Sequence, residues 1–199
     1  MDKLVTKLVD EMLMEKILAD RNRDLYIYTL QMIFEKVIGY VAIISLALLF
    51  RIFLPTILFI LFFGSVRKYS GGFHFDHFLS CFIMSVAVYI VMSKLIYPIL
   101  PAYSIVSLVW VIFAGVIILA IGAINNANIH WTRIEFKETK ELSRYVTLIE
   151  GGVIICMFFL NCKSIYLWFM SFGVFLASFF LIVEALKEKI QKFLKKEIM

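Results

Sequence analysis

The feature that most constrains this chain is a series of long apolar runs separated by short polar breaks. Hydrophobic residues make up 62% of the 199 residues and charged residues only 18%. Soluble domains carry roughly 45–50% apolar and about 25% charged residues. No polar stretch is long enough to bury a core of its own. The composition therefore predicts an all-α integral membrane protein without a separate soluble domain.

The polar breaks divide the apolar runs into about six transmembrane helices. A crossing takes about 20 residues, and we predict three pairs of spans in one membrane domain, within 24–66, 78–124 and 146–186. Between the pairs, 67–77 and 125–145 form loops on the same side of the membrane. The chain thus has a single domain over 1–199.

Both ends of the chain are amphipathic. In 1–23, Leu4, Leu8 and Met12 fall near one side, with charged residues interspersed, and 187–199 places apolar residues among lysines. We predict a surface helix at each end. The first helix either lies on the membrane or packs on the rest of the protein, and these two arrangements are compatible.

The distribution of basic residues indicates the orientation. Six spans put both termini on one side, and seventeen of the twenty Lys and Arg residues fall on that side. The other three are Arg51, Lys94 and Lys163. By the positive-inside rule, we predict that both termini and the loop 67–77 are cytoplasmic.

The loop after the second span carries the most chemically distinctive residues. From residue 67 to 81 the chain reads R-K-Y-S-G-G-F-H-F-D-H-F-L-S-C. A helix over its second half would align His74, His77 and Cys81 on one face, because residues three, four and seven apart stack on successive turns. A thiol and an imidazole at a membrane edge are typical of nucleophilic catalysis.

Cys81 is the candidate nucleophile of this segment. A cysteine attacks carbonyls as the thiolate, and a neighbouring imidazole takes the proton and returns it to the leaving amine. A nearby helix N-terminus favours the thiolate. Gly71 and Gly72 let the backbone approach a peptide and direct N–H groups at an oxyanion. Arg67 and Lys68 attract an acidic substrate segment.

Each of these residues also has another interpretation. A membrane cysteine is commonly a packing residue, a Gly-Gly pair is commonly a turn, and Arg67 with Lys68 is commonly a topology signal. His74, His77 and Cys81 are suitable zinc ligands, although no H-E-x-x-H motif is present. The sequence leaves these alternatives open.

Polar residues elsewhere in the apolar runs carry weaker signals. Cys156 and Cys162 share one apolar run, and the odd cysteine count indicates free thiols, so we interpret both as structural. His130 is interpreted as a surface residue. Glu150 is the most interior charge, and it either faces a substrate cavity or marks the membrane interface.

The pattern R-K-Y-S-G-G-F-H-x6-C, between the second and third of about six spans, resembles the accessory gene regulator protein B (AgrB) family. These are membrane-embedded cysteine endopeptidases of Gram-positive quorum sensing. The specific motif covers about 15 residues, and the layout agrees over nearly the whole chain. His74 and Cys81 match the family's spacing, whereas His77 does not.

The resemblance implies a peptidase of the bacterial cell membrane that works without a cofactor, as a homodimer. Its substrate would be a small propeptide with an acidic C-terminal tail. Cys81 would attack the bond before the tail, with His74 as general base and then acid. An internal Cys or Ser would displace Cys81 and close a thiolactone or lactone. The competing interpretation is a non-enzymatic peptide transporter or export partner, with the histidines lining a polar path.

Overall fold

The computed structural model describes residues 2–15, 17, 23–73, 78–99, 104–124 and 132–197. Within these residues the regular structure is helical, apart from one bridge that pairs Gly71 with Ile124. The predicted all-α class is confirmed. The helices are α1 (Asp2–Met14), α2 (Arg23–Leu49), α3 (Phe53–Ser70), α4 (Phe78–Ile90) with a π-helical continuation (Val91–Ile96), α5 (Tyr97–Ile99), α6 (Ser104–Ile121), α7 (Arg133–Phe159) and α8 (Ser164–Glu197).

Among the described residues, five helices are long and apolar enough to cross a membrane. They are α2, α3, α4 with its π-helical continuation, α7 and α8. The chain is therefore a multi-pass membrane protein. The remaining predicted span corresponds to α6, which is apolar but shorter over Ile105–Ile121. That length is at the lower end of the roughly 17–25 residues that a crossing takes, so the count of six remains a prediction.

Three helices extend beyond the apolar runs that predict them. The last turn of α3 includes Arg67 and Lys68, α7 begins inside the predicted loop 125–145, and α8 continues into the predicted tail. A capping box starts α7: the Thr132 side chain accepts from the Glu135 N–H, and the Glu135 carboxylate accepts from the Thr132 N–H. The capping box therefore begins α7 in a polar segment, before its apolar run starts.

The central helix of the bundle is α8. It contributes to both buried apolar clusters, one shared with α3, α6 and α7 and the other with α2, α3 and α4. It contacts α3 closely at Gly173, where a Cβ would lie 3.0 Å from the Phe59 oxygen and the Phe63 nitrogen. Trp110 of α6 and Trp168 of α8 have ring centroids 4.4 Å apart. Through this packing, α8 lies in close contact along α3.

The N-terminal helix α1 packs on α2. Val5 and Val9 of α1 are fully buried. Arg23, the first residue of α2, donates from Nε to Asp10 Oδ1 at 2.8 Å. Of the two compatible arrangements predicted for 1–23, the structure supports packing on the rest of the protein.

Candidate active site

A glycine turn ends α3 and leads toward the predicted catalytic loop. Gly71 (φ 67°) and Gly72 (φ 107°) have backbone conformations that L side chains rarely adopt. The Gly71 N–H donates to the Arg67 carbonyl at 3.2 Å. A Cβ on Gly72 would collide with Arg67 Nη1 and lie 3.0 Å from the backbone carbon and oxygen of Phe180. The backbone that the second glycine approaches is thus that of α8, whereas the sequence predicts approach to a peptide.

The Arg67 side chain holds this turn in place. Nη1 donates to the Gly71 carbonyl and Nη2 to the Phe73 carbonyl. The guanidinium carbon lies 5.3 Å from the ring centroid of Phe180. A planar fork of donors suits two carbonyl groups and an aromatic face. The Arg67 side chain therefore binds groups of the protein itself, whereas the Lys68 side chain is exposed.

The C-terminal half of α8 contacts the turn from the other side. The Phe73 N–H donates to the Phe180 carbonyl at 3.0 Å. Lys187 Nζ lies 5.4 Å from the ring centroid of Phe73. Both backbone polar groups of Phe73 are thus hydrogen-bonded, the N–H to α8 and the carbonyl to Arg67. Phe73, the last described residue of the turn, is therefore held by both α8 and Arg67.

A second segment packs beside the glycine turn. The Ile124 N–H donates to the Ser70 carbonyl at 3.1 Å, next to the bridge between Gly71 and Ile124. Ser143 Oγ of α7 donates to the Gly122 carbonyl at 3.0 Å. The ends of α3 and α6 and the first half of α7 therefore meet at one place.

Cys81 lies in the first turn of α4, and its side chain is half-buried. It is hydrogen-bonded to the Ser85 side chain and lies within electrostatic range of Arg67 and Glu35. The first turn of a helix has unpaired N–H groups and the positive end of the helix dipole. Burial of the sulfur disfavours its negatively charged form, and so does Glu35, whereas the Ser85 hydrogen bond, Arg67 and the helix N-terminus favour it. All three cysteines of the chain are free, as the odd count predicts.

The predicted histidines His74 and His77 lie outside the residues that the structure describes, as does His130. The structure brings Arg67, Gly71 and Gly72 together. It places Cys81 within electrostatic range of this group through Arg67. The contact between His74 and Cys81 stays a prediction. Among the described residues no cluster of three or more His, Cys, Asp or Glu is suited to a metal, and the zinc alternative, which needs the two histidines, is untested.

Two acidic residues near this region have surroundings that the sequence does not reveal. Glu184 is only 4% exposed, and it lies within electrostatic range of Arg67. Ser65 of α3 donates to Glu150 of α7, whose second carboxylate oxygen is buried without a hydrogen-bond partner among the described residues. An acidic residue within an apolar run is a sequence signal for a buried functional or supporting group. The sequence analysis used that signal for Glu150 but assigned no role to Glu184.

Comparison with known proteins supports the same assignment as the motif. The family model described as Accessory gene regulator B matches residues 1–181. No curated protein and no solved structure matches the chain.

Proposed function

Because the chain belongs to the accessory gene regulator B (AgrB) family, we propose that it is a membrane-embedded cysteine endopeptidase. Family membership gives it a part in accessory gene regulator processing. The substrate is a small quorum-sensing propeptide, from which the enzyme removes an acidic C-terminal tail. The observation that carries the proposal is the position of Cys81, in the first turn of α4 and within electrostatic range of Arg67.

The cleavage step uses Cys81 and His74. His74 takes the thiol proton, and the sulfur attacks the carbonyl carbon of the bond before the tail. N–H groups in the first turn of α4, which have no intrahelical acceptor, donate hydrogen bonds to the oxyanion. The C–N bond then breaks, and His74 returns the proton to the leaving amine of the tail. The product is an acyl-thioester on Cys81.

Ring closure releases the acyl group from the enzyme. A Cys or Ser side chain within the peptide attacks the thioester carbonyl and loses its proton to His74. The bond to the Cys81 sulfur breaks, and the peptide leaves as a thiolactone or lactone. A site at the membrane edge favours closure over hydrolysis because it limits the access of water.

The orientation and assembly belong to the same proposal. Both termini and the site face the cytoplasm, where the exposed Lys68 is available to attract the acidic tail. The positive-inside distribution of Lys and Arg supports this orientation. The protein works as a homodimer of the bacterial cell membrane, and Gly71 and Gly72 support the turn before the base.

A co-expression assay tests the proposal. The candidate propeptide, encoded by a short neighbouring reading frame, is expressed with each variant, and tail release is followed by mass spectrometry. Cys81→Ala is expected to abolish release, and His74→Ala to lower it by roughly 10²–10⁴-fold, the usual contribution of a general base. His77→Ala is expected to retain release. Cys156→Ala, at an exposed cysteine of α7, is the matched control.

Each outcome of this assay has a definite meaning. Tail release that persists with Cys81→Ala contradicts the cysteine mechanism and favours the transporter interpretation. Loss with His77→Ala as well as His74→Ala leaves the choice of base open. A stoichiometric metal in the purified protein, removed with loss of cleavage, supports the zinc interpretation instead.

A further inference from the structure

The buried carboxylate of Glu184 has no role in the chemistry proposed above. Its residue is 4% exposed, and its Oε2 atom is buried without a hydrogen-bond partner among the described residues. A buried carboxylate is costly unless a charge or hydrogen bonds compensate for it. The guanidinium of Arg67 lies within electrostatic range of Glu184, over the ring of Phe180 one turn earlier on α8.

Arg67 in turn connects Glu184 to the glycine turn. Its two terminal nitrogens donate to the carbonyls of Gly71 and Phe73. Its guanidinium lies on the ring of Phe180, one helical turn before Glu184 on α8. The arginine is thus held between the turn and one face of α8.

The same face of α8 contacts Phe73 directly. The Phe180 carbonyl accepts from the Phe73 N–H at 3.0 Å, and Lys187 Nζ lies 5.4 Å from the Phe73 ring centroid. Phe180 and Lys187, which lie on either side of Glu184 along α8, therefore contact the last described residue before His74.

We infer that Glu184 is a positioning residue: by anchoring the Arg67 guanidinium against α8, it holds the Gly71–Phe73 turn from which His74 extends. It does not touch the reacting atoms. The consequence for catalysis rests on the proposed function, because it requires His74 to be the base. The effect of Glu184 on the turn itself does not depend on the proposed function.

Hydrogen exchange tests the structural part, whether or not the protein is active. The full chain is purified in detergent, and exchange is measured in the peptide that covers residues 70–73. In Glu184→Gln we expect exchange of the turn amides to be about tenfold faster, which corresponds to about 1.4 kcal/mol of opening free energy. Glu141→Gln, at an exposed position of α7, is the charge-matched control and leaves exchange in the turn unchanged.

Kinetics of tail release tests the catalytic part. Glu184→Gln is expected to lower kcat by roughly tenfold to a hundredfold with KM unchanged, because a displaced catalytic group slows the chemistry without weakening peptide binding. If Glu184 acts through Arg67, adding Glu184→Gln to Arg67→Lys produces little further loss. Such non-additivity is the signature of two residues that act as one unit.

The results separate this inference from the proposed function. A wild-type protein that releases no tail, with faster turn exchange in Glu184→Gln, contradicts the peptidase and supports the positioning role. Unchanged turn exchange in Glu184→Gln overturns the positioning role, even if kcat falls. Losses that add fully in the double variant also overturn it. If the Glu184→Gln variant does not accumulate, turn exchange is measured in Arg67→Lys instead. Unchanged turn exchange in Arg67→Lys contradicts the anchoring.

Discussion

Replacing Gly72 with alanine adds one methyl group at the most confined point of the candidate site. The new Cβ would collide with Arg67 Nη1 and lie 3.0 Å from the backbone carbon and oxygen of Phe180. The backbone at Gly72 also has φ 107°, where an alanine is strained. Neither backbone neighbour has a rotamer that relieves the contact.

The size of the effect follows from these contacts. Carbon atoms pack best at about 3.5–4.0 Å, so the turn and α8 have to separate by about 0.5–1 Å. The backbone strain adds about 1–3 kcal/mol. Displacement of Arg67 also weakens its bond to the Gly71 carbonyl, and a hydrogen bond from a charged donor contributes about 1.5–3 kcal/mol. A shift of about 1 Å in a catalytic group lowers the rate roughly 100-fold, so we expect a loss of that order.

The assay measures the initial rate of tail release per membrane-inserted protein, with thermal unfolding in detergent recorded in parallel. The control is Gly64→Ala in α3, the helix that precedes the turn, because a Cβ at Gly64 meets nothing within 4 Å. Alanine in a helix interior is favoured over glycine by about 1 kcal/mol, so this control retains activity and stability. Tail release by Gly72→Ala at the wild-type rate would refute the reasoning, because the turn would then tolerate the displacement.

Three further predictions concern other contacts of the bundle. Gly173→Ala pushes the backbones of α3 and α8 apart and is expected to lower stability by about 1–3 kcal/mol, measured by thermal unfolding in detergent. Ser65→Ala removes the donor to the Glu150 carboxylate and is expected to cost about 1–3 kcal/mol in the same measurement. The hydrogen bond from Arg23 holds the pKa of Asp10 below its usual 3.8. The contact between α1 and α2 is therefore expected to persist above that pH and to weaken as the pH falls through the lowered pKa, measured by amide exchange in α1.

Each of these predictions has a matched control and a contradicting result. Gly152→Ala, where a Cβ meets nothing within 4 Å, leaves stability unchanged; equal stability of the Gly173 variant would contradict close packing of α3 and α8. Ser45→Ala removes only a local bond to its own helix, and a loss as large as that of the Ser65 variant would show that Glu150 is not involved. Amide exchange in α1 that does not change on acidification contradicts a contribution of the Arg23–Asp10 pair to the contact between α1 and α2.

The apolar runs predict the helices well because hydropathy is a local property that each segment carries by itself. They predict the ends of the helices less well. The capping box at Thr132 and Glu135 begins α7 within a polar segment, and α8 continues through its basic end. At both places the chain is helical where hydropathy predicts a loop or a tail, and at α7 the capping box supplies the reason.

The sequence likewise predicts one part of the candidate site and not the other. The sequence pattern identifies Arg67, Gly71, Gly72 and Cys81 because they are close along the chain. It does not predict that Arg67 is engaged by the turn, because a basic residue next to an apolar run is usually a topology signal. It also gives no role to Glu184, which lies more than a hundred residues further on.

The sequence by itself determines that this is an all-α, multi-pass membrane protein of the AgrB family with its motif between the second and third predicted spans. Hydropathy and motif spacing are properties of neighbouring residues, so they need no folded chain. Only the tertiary structure decides what supports the motif. On α8, the Phe180 ring lies against Arg67 and the Phe180 carbonyl accepts from the Phe73 N–H, and these contacts form because α8 packs closely along α3. Helix packing brings distant residues together, and no local pattern specifies which ones.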